Sequence, residues 1–277
     1  MESRQRDNKV FNGRNVIQAF CLAAIAFMLV VVAHQFLLGG LSHWLGYETR
    51  ITFSKVYSLP SDNKFWGNQR VLLLYLAPSV LFFVIALIMY WGLAKARSIN
   101  GLGYIFRFWI MFYCIIFISN LITLSPLAYF NDTGMVYQGF AVIVRWYGLA
   151  LYWVLLFLAI SLALNLWFGV LAYRALIQYW QSKINTKKSS LQRKVILYHF
   201  IYPYLMIVPL ALFLGGKNSL LYFSSMMLHG LIWVLALFIQ VSTGFKGIRN
   251  VEPVEAGINY ILLALVVIAT ALIYVFM

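Results

Sequence analysis

Histidine is the side chain in this sequence best suited to chemistry, because a neutral imidazole can bind a metal or move a proton near pH 7. The chain has four, at His34, His43, His199 and His229. A bis-histidine haem site needs two helical histidines at matched depth. His34 falls near the outer end of its apolar run and His229 nearer the middle of its own, so that pair is a poor fit. Ser125 and His199 could begin a nucleophile–base arrangement, but nothing in the sequence brings them together. No glycine-rich phosphate loop and no paired carboxylates occur.

The elements that must position these residues are apolar helices. Apolar residues make up 63% of 277 and charged residues 10%, with a mean hydropathy of +0.85. A soluble domain carries roughly 25% charged residues to cover its surface. The surroundings expected from this composition are therefore lipid. Runs of roughly 20 apolar residues mark membrane-spanning helices, and they fall near 16–38, 71–94, 104–126, 146–173, 198–215, 219–243 and 258–276. The fifth contains Pro203 and Pro209, which predicts a kinked or partly re-entrant helix. The reading is an all-α polytopic membrane protein of about seven transmembrane helices, with 1–277 forming one membrane domain and no internal repeat or soluble domain.

The net charge of +14 arises from 21 Lys and Arg against 7 Asp and Glu. In a membrane chain these bases set topology and meet anionic headgroups, so no nucleic acid partner is expected. The segments before the first run, after the second, after the fourth and before the last hold 15 of the bases, and the opposite segments hold 6. The positive-inside rule then places the N-terminus in the cytoplasm and the C-terminus outside, in a cell inner membrane. Cys21 and Cys114 lie within apolar runs, so neither a disulfide framework nor a zinc ribbon is expected. Gln18-Ala19-Phe20 does not suit lipidation of Cys21, and the first run is read as an uncleaved helix. Asn165, His229 and Gln240 interrupt apolar runs and fit contacts between helices.

The segment 47–59 differs from the rest. Its alternation and its Thr, Ile, Val and Tyr content predict a short hairpin or strand. At membrane depth such backbone needs protein partners, so it is expected to lie against the bundle.

The most specific stretch runs from His34 to Gly46, with Gln35, Leu38 and Gly46 at informative spacings. It resembles, in worn form, the helix of the intramembrane site-2 protease metallopeptidases. That helix begins His-Glu-x-x-His, reaches a Gly twelve residues after the first His, and leads to a strand in the membrane. The resemblance extends over 16–134, with 135–277 as additional helices. Ala77-Pro78 resembles the Gly-Pro that opens the family's next helix. Asn120-Leu121-Ile122-Thr123 resembles its Asn-x-x-Pro turn. Asn131-Asp132-Thr133-Gly134 resembles its Asp-Gly segment, which makes Asp132 the carry-over candidate for the third metal ligand.

Two departures bear on activity. Histidines at i and i+4 grip zinc from one helix face while Glu takes a proton from the bound water. Here Gln35 stands at the Glu position and cannot accept that proton, and Leu38 stands at the second His position and cannot bind metal. His43 would converge on His34 only if Gly39-Gly40 broke the helix, because nine residues turn a helix through about 180°. His34 and Asp132 alone make a poor zinc set. No cofactor is expected, with zinc as the residual alternative at His34 and Asp132.

The expected function is a non-catalytic membrane protein that binds or scaffolds a membrane-protein or peptide partner. Its relic groove would comprise His34, Gln35, His43, Asn120 and Asp132, with strand addition to the hairpin as the mode. One alternative is an accessory subunit of a membrane transport or respiratory complex. A proton-driven transporter would carry a carboxylate inside a span, and none of the 7 acids lies there. The other alternative is a metalloprotease with an atypical residual metal site.

Overall fold

A computed structural model describes residues 11, 13–52, 56–59, 67–95, 101–123, 125–126, 140–181, 189–215, 220–243 and 260–276. Helix α1 spans Gly13–Trp44 and is followed by strands β1 (Glu48–Ile51) and β2 (Val56–Leu59). Helices α2 (Asn68–Lys95), α3 (Gly101–Thr123), α4 (Phe140–Tyr147) and α5 (Leu151–Gln181) come next. Then follow α6 (Ser189–Ile196), α7 (Tyr202–Gly215), α8 (Leu220–Thr243) and α9 (Tyr260–Phe276). Among the described residues, the α1, α2, α3 and α5 helices and the continuous α6–α7 rod form 5 stretches long enough and apolar enough to cross a bilayer. The α8 and α9 helices are also apolar.

Glycines at helix ends explain several turns. Gly46 has φ +87°, a region that a Cβ disfavours. The Gly46 N–H donates to the His43 carbonyl and the Tyr47 N–H to the Ser42 carbonyl, the paired bonds of a Schellman cap. That cap stops α1 and turns the chain into the hairpin. Glu48 pairs with Leu59 and Ile51 with Val56 in antiparallel register, so the strand-like segment expected at 47–59 is a two-stranded hairpin. Both strands lie against α1, and Tyr47 is buried. Gly148, with φ +57°, caps α4 in the same way. This cap breaks the predicted run at 146–173, so the long helix begins at Leu151.

Prolines mark two helices, and one departs from expectation. Pro78 does not open a helix but lies well inside α2, which starts at Asn68. Pro203 has no N–H for the His199 carbonyl, and its ring would strike that oxygen in a regular helix. The chain relieves this by widening to a π-turn at Leu197–Ile201, where the Tyr202 N–H donates to the Leu197 carbonyl. Among the described residues, the fifth run is therefore one continuous helical stretch from Ser189 to Leu214 with a π-turn in it.

Lipid is as apolar as leucine, so apolar burial alone does not hold helices together in a bilayer; close packing and polar contacts must. The α3 helix is the hub, touching α1, α2, α4, α5 and α8. Its Trp109, Phe112 and Tyr113 are fully or nearly fully buried. The Phe112 ring meets Phe200, Tyr204 and Trp233 edge-on at centroid distances of 5.0, 5.4 and 4.8 Å, the arrangement aromatic quadrupoles favour. Phe27 of α1 meets Tyr113 at 5.5 Å. The opposite faces of α2, α5 and α9 expose large apolar residues, including Trp91, Leu155, Trp167 and Ile268. These faces suit lipid.

The α5–α8 crossing depends on Gly169. A Cβ there would lie 2.7 Å from the Ala236 Cβ and 3.7 Å from the Trp233 Cα. Gly169→Val is expected to destabilise the folded chain by about 1–3 kcal/mol through overpacking, read by denaturant titration of the detergent-solubilised protein. Gly103→Ala has no atom within 4 Å of its added carbon and should leave stability unchanged or slightly raised.

Candidate functional site

His34 lies in the second half of α1 and is 7% exposed. Its ring centroid is 4.4 Å from that of Phe117 on α3 and 5.8 Å from that of Phe82 on α2. The two phenylalanines are themselves stacked at 6.0 Å. The imidazole thus completes an aromatic cluster where three helices meet. Gln35 is buried beside it in sequence, and Leu38, one turn further on, is half-buried.

The structure separates His43 from this group. The α1 helix runs unbroken through Gly39 and Gly40 to Trp44, so His43 points about half a turn away and is exposed. Asn120 is fully buried in the last turn of α3. It stands three residues past Phe117 and seven past Tyr113, on the face whose rings meet α1. His34 and Asn120 therefore belong to the same interface. Neither polar atom of the Asn120 amide finds a hydrogen-bond partner among the described residues. Asp132 lies outside the described residues. Among the described residues, no three His, Cys, Asp or Glu side chains gather to hold a metal ion.

The other histidines are apart from one another. His229 of α8 is hydrogen-bonded through Nε2 to the Thr123 hydroxyl at 2.7 Å. His34 meets α3 at Phe117, six residues earlier and about 120° around the helix, so the two imidazoles do not face each other. Ser125 follows the C-terminal end of α3, where its hydroxyl donates to the Ile122 carbonyl at 2.5 Å. His199 stacks on Trp180 at 3.7 Å and shares a cavity with Leu102 and Ile105 at the other end of α3. A helix of 23 residues separates those ends, about 34 Å at 1.5 Å per residue.

A polar centre lies elsewhere in the bundle. The Asn165 amide nitrogen of α5 donates to the Ser119 hydroxyl of α3 at 2.5 Å and to the Ser161 carbonyl at 2.8 Å. Its oxygen accepts from the Trp233 indole N–H of α8 at 2.9 Å. One side chain thus ties three helices. Asn165 was visible in sequence as an amide inside an apolar run. Its partners were not, because Ser119 and Trp233 are ordinary residues for membrane helices. No protein-family model, curated protein or solved structure matches the chain.

Asn165→Leu removes both interhelical bonds and leaves the buried indole N–H without its acceptor. The expected loss is about 1–3 kcal/mol of stability, measured by the same denaturant titration. His34→Phe, which keeps a ring between Phe82 and Phe117, should cost far less.

Proposed function

We propose that this chain is an integral membrane protein of about seven spans, with its N-terminus in the cytoplasm. Its first three long helices resemble an intramembrane metalloprotease core that holds a membrane-protein or peptide partner instead of cutting it. The observation that carries this reading is the setting of His34. The imidazole is packed against Phe117 and Phe82, with Gln35 and Leu38 where a base and a second ligand would stand.

Other observations support it. Gly46 ends α1 and leads straight into a hairpin, the order the resemblance implies. A two-stranded hairpin has outer edges whose N–H and C=O groups can accept a further strand. The counts of basic residues support the orientation. The α8 helix of 24 residues is long enough, at about 36 Å, to cross the hydrocarbon core.

Metal content and co-purification test this together. Purified in mild detergent and equilibrated with zinc, the chain should bind well under one equivalent, and His34→Ala should leave the amount unchanged. Stoichiometric zinc that disappears in His34→Ala would establish a working metal site and sink the proposal. A second polypeptide should co-purify in fixed proportion; a clean monomer would count against a holding role.

A further inference from the structure

The ends of three helices and the π-turn of the α6–α7 rod meet around a small cavity at the end of the bundle opposite the hairpin. Asn15 and Gln18 of α1, Leu102 and Ile105 of α3, Trp180 of α5 and His199 of the π-turn line it. Its volume is about 20 Å³, room for one water-sized group such as a hydroxyl, and too little for a metabolite. Gln18 is 9% exposed and His199 2%. Buried polar side chains at a membrane-protein interface need a reason, because lipid offers them no hydrogen bonds.

The surroundings are basic. The Lys194 ammonium lies 5.7 Å from the Phe11 ring centroid, and that ring lies 6.3 Å from the His199 ring. Phe11 thus meets both Lys194 and the His199 ring that lines the cavity. Arg14, next to Asn15, and Arg193, next to Lys194, are both exposed. Lys95 and Arg107 belong to the same end, since Arg107 near the start of α3 approaches Gly92 near the end of α2. Among the described residues the one acid is Glu48, which lies in the hairpin at the other end. The positive-inside tendency accounts for an excess of bases in general. It does not account for a hydroxyl-sized, mostly apolar cavity at the same end into which Asn15, Gln18 and His199 bring polar groups.

We propose that this end of the bundle binds an anionic phospholipid with a hydroxyl-bearing headgroup. Lys194, Arg14 and Arg193 hold the phosphate, and a headgroup hydroxyl enters the cavity to hydrogen-bond Gln18 and His199. The exposed apolar faces of the helices receive the rest of the lipid. The inference depends on the membrane-spanning reading and is independent of the degenerate-protease reading.

The test is native mass spectrometry of the full chain, released from mixed micelles of phosphatidylcholine and phosphatidylglycerol. Phosphatidylglycerol should be retained in excess over phosphatidylcholine. Replacing Arg14 and Lys194 by Gln should weaken its retention about fivefold per charge, and Gln18→Leu about fivefold with both charges in place. Arg50→Gln, at the hairpin end, should change nothing. Equal retention of the two lipids would overturn the proposal. So would an undiminished excess in Gln18→Leu, which would mean a diffuse charge effect with no built site. Inorganic phosphate in large excess should not displace the lipid; full displacement would identify a free-phosphate site and exclude the lipid. Should the Gln variants fail to fold, the wild-type chain decides. Its phosphatidylglycerol excess should fall as salt rises from about 50 to 500 mM, and an excess indifferent to salt would refute the electrostatic hold.

Discussion

Asn165 joins α3, α5 and α8 through a single amide, and the arrangement of the bundle depends on that join. In a bilayer the apolar surfaces of the helices gain little by leaving lipid, so packing them together needs interactions lipid cannot supply. The Asn165 bonds to Ser119 and Trp233 are such interactions. They fix the height at which α5 and α8 meet the hub helix. Gly169, one turn along α5, lets α8 come close enough for the indole to reach the amide. The Trp233 ring then packs edge-on against Phe112, which in turn meets Phe200 and Tyr204 of the π-turned rod. The hydrogen bonds set the register, and the aromatic rings fill the space it defines.

On the other face of α3, the same helix meets α1 through Tyr113 and Phe117. His34 enters this face as a ring among rings. Among the described residues, the rings packed against His34 are those of two phenylalanines. The Asn120 amide lies on the same face, fully buried, and finds no hydrogen-bond partner among the described residues.

Helix positions were legible because long apolar runs with few charges allow little else. Their boundaries were less so. The break at Gly148 was hidden because Phe140–Tyr147 and Leu151–Gln181 are both apolar, and only a left-handed glycine divides them. The π-turn before Pro203 was hidden because proline signals a disturbed helix without specifying its form: kink, break and π-turn share that signal. The hairpin was legible from its alternation. Of the candidate site, the shared interface of His34 and Asn120 follows from spacing once α1 and α3 are neighbours. The outward position of His43 followed from helical geometry, given that Gly39-Gly40 does not break α1. The three-helix role of Asn165 required knowing which helices touch, which no local pattern encodes.

A holding role for the hairpin is tested most directly by a photo-reactive phenylalanine at Thr49 in β1, activated in native membranes with the chain at its natural abundance. The expected result is one protein adduct of defined mass, containing an intact partner, and lost when Arg50→Pro removes a strand N–H. Adducts to lipid alone, or a partner recovered cleaved at the cross-linked segment, would contradict a core that holds without cutting.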